Sequence, residues 1–378
     1  MSVSEPRPDV LIVGAGVVGA ACAYYLSREG MKVELVDSGF AGSGTTAAGM
    51  GHLAVMDDSD AEFELCRIAC NEWAELSRDM PDFCEVTDEG CLWIAADEEE
   101  MALLEPKVGR YTAAGIDVEI LDSAQLAEIE PELRPGLPGA FYLKRDQVLY
   151  QLGATRWLLQ EAIARGASLR EHTPVRSIGA GFVETATGRI DAGMVVNAAG
   201  AWAQELTPEL RIEPRKGHLV ITDRYPNFCR RQVMELGYLK SAHELTPESV
   251  AFNVQPRATG QLMIGSSREL VGWDRSINQQ VLRKMLRRAF EFMPGLEGLS
   301  CIRTWTGFRP ATPDKLPYIG RWPRVDDLWI AAGHEGLGIM TATGTALLLT
   351  DLILGRESIL DPAPFDPTRV LSWEEPSA

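Results

Sequence analysis

Positive charge is scarce in this chain. Its 378 residues hold 36 Lys and Arg against 54 Asp and Glu, a formal charge of −18. That balance argues against nucleic acid and anionic membrane surfaces, which attract basic patches. Paired cysteines are also lacking: the seven thiols are odd in number and show no CxxC spacing. Neither a disulfide framework nor a metal site is expected, and reduced thiols suit the cytoplasm. No secretory leader is apparent, because Met1–Asp9 is polar with two acids and the first apolar run, Val10–Val13, stops at glycine. The uncharged run Gly336–Thr350, bracketed by Glu335 and Asp351, is too short and too rich in Gly and Thr to cross a bilayer. Repeats, coiled-coil heptads and low-complexity tracts are absent. With 46% hydrophobic and 24% charged residues, the composition is that of a soluble cytoplasmic protein of two domains or one large one.

The pattern along the chain changes twice. Val10–Val13, Gly14–Gly19, a helix to about Glu29 and Val33–Val36 read as strand, tight turn, helix and strand. Helical patterns follow at Ala61–Arg78 and Tyr150–Arg165, the second stopped by Gly166. A hairpin is expected at Phe182–Thr185 and Arg189–Ile190, turning at Thr187-Gly188, and then a strand at Met194–Asn197. The middle of the chain instead reads as antiparallel strands, among them His218–Thr222, Val250–Val254 and Gln261–Ile264. An amphipathic helix, Val281–Phe292, is expected to turn Arg283, Lys284, Arg287 and Arg288 to solvent. Strand Leu328–Ala331 and a helix from Gly338 to Leu354 return to the α/β style. The expectation is a discontinuous Rossmann-like nucleotide domain at 1–80, 141–206 and 309–370. A second domain, α+β and built on an antiparallel sheet, occupies 81–140 and 207–308.

Gly14-Ala15-Gly16-Val17-Val18-Gly19 lies between strand and helix, where a dinucleotide fingerprint belongs. Gly14 allows the turn, Gly16 lets backbone approach a pyrophosphate, and Gly19 allows close packing of helix on strand. The helix N-terminus offers N–H groups to phosphate. Asp37 ends the second strand, where its carboxylate accepts from ribose hydroxyls. Two features favour FAD over NAD. The uncharged stretch Ser38–Met56, with Thr45, Thr46, Ala48, Gly49 and Met50, suits main chain running along a flavin cofactor. Ala199, Gly200 and Trp202, after a late strand, form a small-residue turn beside the same cofactor, with Val175 a further contact.

At this point the residues resemble the FAD-dependent amine-oxidising family of D-amino-acid oxidase, glycine oxidase, sarcosine oxidase and D-amino-acid dehydrogenase. The likeness spans nearly the whole chain and is most specific at Gly307-Phe-Arg309-Pro310…Pro317-Tyr-Ile-Gly320 and Ala331-Ala-Gly333-His334-Glu335-Gly336-Leu337-Gly338. The Gly49–His52 stretch resembles the D-hydroxyproline dehydrogenase and hydrogen cyanide synthase branch. The resemblance implies a glutathione-reductase-like FAD domain and hydride transfer from a small amino acid to flavin N5, giving an imine.

It also implies that Arg309 clamps the substrate carboxylate, with structural pairing to Asp314 or another carboxylate as the alternative. Gly333, Gly336, Leu337, Gly338 and Ile339 form a turn and helix start aimed at the flavin pyrimidine ring. His52 is either a substrate contact or a core histidine. Glu335 touches the substrate ammonium or ring hydroxyl, or else serves a salt bridge. Tyr238 and Asn253 are pocket candidates by approximate alignment. Gly307 stands where sarcosine oxidases carry the flavin-linking cysteine, so FAD is expected to be non-covalent. Met263 stands where they carry a lysine that assists oxygen reduction, which hints at a dehydrogenase. D-hydroxyproline or D-proline is the expected substrate, with a glycine, sarcosine or general D-amino-acid oxidase as the alternative. The electron acceptor is oxygen, a quinone or a partner subunit in a homo- or hetero-oligomer. A flavin-binding protein without turnover is disfavoured by Arg309.

Overall fold

The computed structural model describes residues 7–237 and 248–372. A six-stranded sheet runs in the order 318–322, 328–332, 194–197, 10–13, 33–36, 168–170. Its strands are parallel except for Tyr318–Trp322, which pairs antiparallel with Leu328–Ala332. Val10–Val13 is buried along its whole length because both faces are covered. Val10 and Ile12 pack with the helices Val17–Arg28, Gln151–Ala164 and Gly338–Leu354. Leu11 and Val13 face the opposite core, which includes Val183 of the three-stranded sheet 175–191. Strands covered this way read as unbroken apolar runs.

The second sheet has eight strands in the order 301–311, 213–224, 261–269, 248–256, 232–235, 91–95, 139–143, 118–122. It is antiparallel except at one place, where Gln232–Glu235 runs parallel to Cys91–Ala95. Two of the expected domain limits, after 140 and after 308, fall inside strands Gly139–Leu143 and Cys301–Ala311. Helix Gln279–Phe292 covers this sheet with Val281, Leu282, Met285, Ala289 and Phe292. One of its four basic residues departs from the expected wet face: Arg288 is half-buried and donates through Nε to Glu235 at 3.0 Å. Helix Asp60–Ser77 is capped by Ser59, whose hydroxyl accepts from Glu62 N at 3.1 Å. No helix among the described residues is long and apolar enough to cross a membrane.

Candidate functional site

A cavity of about 460 Å³ lies between the two sheets, reached from the carboxyl ends of strands 10–13 and 33–36. That is where α/β sheets place ligands. Its floor begins with the glycine turn. Gly14 sits at φ 105°, and a Cβ there would lie 2.5 Å from Ala198 O. A Cβ on Gly19 would lie 1.9 Å from Gly14 O, so the helix can press onto the strand only with glycine. Gly19 and Ala15 do not line the cavity, whereas Gly14, Gly16, Val17 and Val18 do. Ala15 contributes its N–H to Asp37 Oδ2 at 2.8 Å, and Gly39 N donates to Asp37 Oδ1 at 2.8 Å. The two carboxylate oxygens thus stitch both turns together and keep further lone pairs for an outside donor.

The stretch after Asp37 wraps the same space. Ser38, Thr45, Thr46, Ala48, Gly49 and Met50 all line it. The two threonine hydroxyls are engaged within the protein. Thr46 Oγ1 accepts from Val17 N at 3.1 Å, and Thr45 Oγ1 donates to Phe308 O at 2.7 Å. Gln151 Nε2 holds Gly49 O at 2.8 Å and Gln255 Nε2 holds Met50 O at 2.7 Å. From the other side come Val175, Ala199, Gly200 and Trp202. Asn197, fully buried, shapes that turn by accepting from Ala199 N at 3.2 Å.

Gly336, Leu337, Gly338 and Ile339 close the cavity opposite the first turn. Gly333 does not line it; its φ of 85° makes the turn, and a Cβ there would meet Thr312 Cγ2 at 2.6 Å. Helices Val17–Arg28 and Gly338–Leu354 both begin on this cavity, neither with a side-chain cap nor an acid in its first turn. Two positive dipole ends on one elongated space, the first with its Val17 N–H taken by Thr46 Oγ1, fit a ligand with a phosphate group and a second electron-rich end. FAD is such a ligand. No cysteine lines the space, and Gly307 has no room for one, since its Cβ would sit 2.2 Å from Ala48 Cβ. Cys301 is exposed in the same strand.

Arg309 enters from strand Cys301–Ala311 and lies across the neighbouring strand at Gly217. A Cβ on Gly217 would fall 2.3 Å from Arg309 Nη1, and one on Gly336 would fall 3.4 Å from Nε. Nη1 donates to Ser267 O at 2.9 Å. Asp314 is not its partner, because that acid pairs with Arg369 at 2.6 Å. Glu335 lines the cavity as an ion-paired acid, with Oε1 3.5 Å from Arg268 Nε and 3.8 Å from Arg215 Nη1. Burial pushes its carboxyl up, but Arg268, Arg309 and Arg215 outweigh that and hold it below the usual range. Of the alternatives for Glu335, the salt bridge is the one formed here.

His52 lines the cavity with its Nε2 3.7 Å from Asp146 Oδ2. Asn253 is buried on strand Glu248–Pro256, lines the cavity, and accepts from Gln232 Nε2. Tyr238 lies outside the described residues. Sequence reasoning missed Ser266, Phe308 and His334 as lining residues. His334 stood within the motif that carried the resemblance, and burial pushes its imidazole down to about 3, so it is neutral. Ser266 had no signal of its own.

Residues 9–352 match the family model described as "DAO: FAD dependent oxidoreductase". The chain is similar to a glycine oxidase of Geobacillus kaustophilus, 30% identical over 379 residues, 96% of this chain and 97% of that one. It is also similar to the hydrogen cyanide synthase subunit HcnC of Pseudomonas aeruginosa, 27% identical, 94% of this chain and 95% of that one. Among solved structures, L-proline dehydrogenase from P. horikoshii superposes with a TM-score of 0.86 at 25% identity, over 96% of this chain and 97% of that one. A match over most of the chain, on the fold and cavity just described, makes this protein an FAD-dependent enzyme that belongs to the DAO family of oxidoreductases.

Proposed function

We propose that this enzyme oxidises the C–N bond of a small amino acid to an imine. The substrate we favour is a secondary amine of the D-proline or D-hydroxyproline type, and the acceptor a quinone or partner rather than oxygen. The cavity wall around Arg309 carries the reading. A guanidinium lying between Gly217 and Gly336 offers a carboxylate the two-pronged geometry that lysine lacks. The same cavity wall presents apolar Met56, Leu219 and Met234 together with polar Asn253 and Ser266. Glycine has no side-chain or ring carbon to bury on such a wall, while each ring methylene gains roughly 0.8 kcal/mol there. Among the described residues Ser266 Oγ has no hydrogen-bond partner, so a ring hydroxyl or amine reaching it would provide one. The names of the relatives, glycine oxidase and L-proline dehydrogenase among them, support the amino-acid class.

The turn at Gly14–Gly19 and Asp37 would hold the dinucleotide half of FAD, and the start of helix Gly338–Leu354 its flavin end. Bound FAD supplies the acceptor for the electron pair of the substrate Cα–H bond. The chain's own part is orientation: Arg309 fixes the carboxylate, the apolar wall fixes the ring, and a held pair replaces a rare encounter. Met263, buried in strand Gln261–Glu269, provides no cation to assist oxygen, which supports a dehydrogenase. The product of a proline-type substrate is a cyclic pyrroline. Likeness to an HcnC subunit supports a second reading, a catalytic chain of a hetero-oligomer, tested by copurification of unlike chains.

An anaerobic screen of amino acids for flavin bleaching tests the main reading, followed by reoxidation with oxygen and with dyes. D-proline-type amines are expected to bleach fastest. Arg309→Ala is expected to keep the yellow cofactor and lose bleaching by every carboxylate-bearing amine. Undiminished bleaching in that variant removes Arg309 from the role.

A further inference from the structure

We propose that His52 accepts the proton of the substrate's ammonium group and that the buried Asp146 positions it for that task. The inference rests on the amino-acid reading above and extends it. Amino acids in water carry their amine protonated. An ammonium has no lone pair to form the second C–N bond as the Cα–H pair departs, so a proton must leave the nitrogen first. Nothing in the Arg309 cluster can take it: Arg215, Arg268 and Arg309 are cations, and Glu335 is an acid that those cations hold ionised.

Among the described lining residues His52 is the group whose chemistry suits the step, since burial pushes the imidazole of His334 down to about 3. His52 is delivered rigidly. Strand His52–Leu53 pairs with Gln147–Val148, placing His52 opposite Val148 and next to the Asp146 turn. Gly51 before it sits at φ 103°, with a would-be Cβ 1.9 Å from Leu149 O, so the backbone has one path. The side chains of His52 and Asp146 are 10% and 2% exposed, and His52 Nε2 lies 3.7 Å from Asp146 Oδ2. Both of those atoms are buried with no hydrogen-bond partner among the described residues. His52 nonetheless lines the cavity, with its Nε2 sealed on the Asp146 side. The separation is too long for a hydrogen bond and becomes one if the ring gains charge and moves a few tenths of an ångström, as catalytic pairs do on loading.

The surroundings of Asp146 leave His52 as its ionic partner. Burial pushes the Asp146 carboxyl up, and His52 opposes that rise. Cys70 of helix Asp60–Ser77, Cys91 of strand Cys91–Ala95 and Tyr111 of helix Leu104–Ala113 face the same carboxyl. Burial holds all three up, so they stay neutral. Arg145 is near enough to favour the anion, but its guanidinium donates to Asn71. In the proposed step the N–H bond breaks, the proton goes to the imidazole, and the Asp146 carboxylate stabilises the imidazolium. Bound FAD would supply the acceptor for the Cα–H electron pair, and the nitrogen lone pair freed by His52 would close the C=N bond. The products are the protonated imine (iminium), reduced cofactor and one proton, which His52 returns to solvent.

The test is anaerobic flavin reduction in the holoenzyme as a function of pH, for wild type, His52→Asn and Asp146→Asn. Binding of pyrrole-2-carboxylate, which carries no basic amine, is followed in parallel by the flavin spectrum. Wild type is expected to reach its plateau near neutrality, below the alkaline range in which the free amine loses its proton. His52→Asn is expected to reduce about 10²-fold more slowly at pH 7 and to recover as pH rises through the amine's own ionisation. Asp146→Asn removes the group that would pair with the ring as it gains charge, so its reduction rate at pH 7 is expected to fall toward that of His52→Asn. Pyrrole-2-carboxylate affinity is expected to be unchanged in both. A wild-type profile that tracks the free amine overturns the proposal without any variant. So does a His52→Asn enzyme with wild-type rate and profile, or one that loses pyrrole-2-carboxylate in proportion to rate, which marks a structural role. If no amino acid bleaches the wild-type flavin at all, the underlying amino-acid reading is what has failed.

Discussion

Gly217→Ala is the sharpest perturbation this structure offers, because it moves Arg309 without touching it. Position 217 lies on strand Glu213–Arg224 opposite Gly307, outside the positive-φ region, so alanine suits the backbone. The new methyl carbon would lie 2.3 Å from Arg309 Nη1, 2.8 Å from Cζ and 2.9 Å from Nη2. Ordinary contact begins near 3.5 Å, so the guanidinium must withdraw by about 1 Å. On its other side a Cβ on Gly336 would lie 3.4 Å from Nε and 3.5 Å from Cδ. The 2.9 Å bond from Nη1 to Ser267 O breaks in the process. A misplacement of about 1 Å in a substrate-positioning group costs on the order of 10²-fold, near 2.7 kcal/mol of transition-state stabilisation. Stopped-flow bleaching against substrate concentration reads this as a rise in Kd and a fall in the limiting rate, with the visible spectrum and melting temperature unchanged. Gly336→Ala, whose Cβ only grazes the same side chain, should cost a few-fold. A Gly217→Ala enzyme within threefold of wild type would show that Arg309 does not hold the substrate where it stands.

Three further outcomes are expected. Gly307→Cys should weaken FAD binding and lower the melting temperature, since its Cβ collides with Ala48 at 2.2 Å, and Ala48→Gly in the same chain should restore both. Asp37→Asn, read by release of flavin fluorescence, should loosen FAD by about 10- to 100-fold, because a carboxylate accepting from Ala15, Gly39 and ribose becomes a weaker acceptor. The third concerns pH and stability. Burial first, then Asp58, pushes the Glu62 carboxyl up to about 8 from 4.5. The folded state therefore holds a proton that the unfolded chain has released, so stability falls as pH rises from about 4.5 to 8, by a few kcal/mol in all. Glu62→Gln should flatten the melting temperature across that window and raise it at pH 8; an unchanged slope refutes the assignment.

The fold was readable where local physics acts over short spans. The glycine turn, the acid at Asp37 and the buried helix Gly338–Leu354 follow from backbone geometry and from apolar runs covered on both faces, and residues adjacent in sequence carry those signals. Strands Cys91–Ala95, Val118–Asp122 and Gly139–Leu143 were not foreseen, since a five-residue strand whose partners lie far along the chain has little periodicity to show. For the same reason domain limits set from composition cut through Gly139–Leu143 and Cys301–Ala311. Sequence alone was enough to determine that a flavin dinucleotide has a seat here and that Arg309 belongs to a conspicuous motif. Only the tertiary structure decided that Gly217 and Gly336 bracket that guanidinium, that Glu335 answers to Arg215 and Arg268, that Ser266 Oγ finds no partner among the described residues, and that Asp146 sits behind His52. Each of these is a contact between side chains from different strands or loops, set by register and packing across the second sheet and its edges, and no local pattern encodes which side chains such packing brings together.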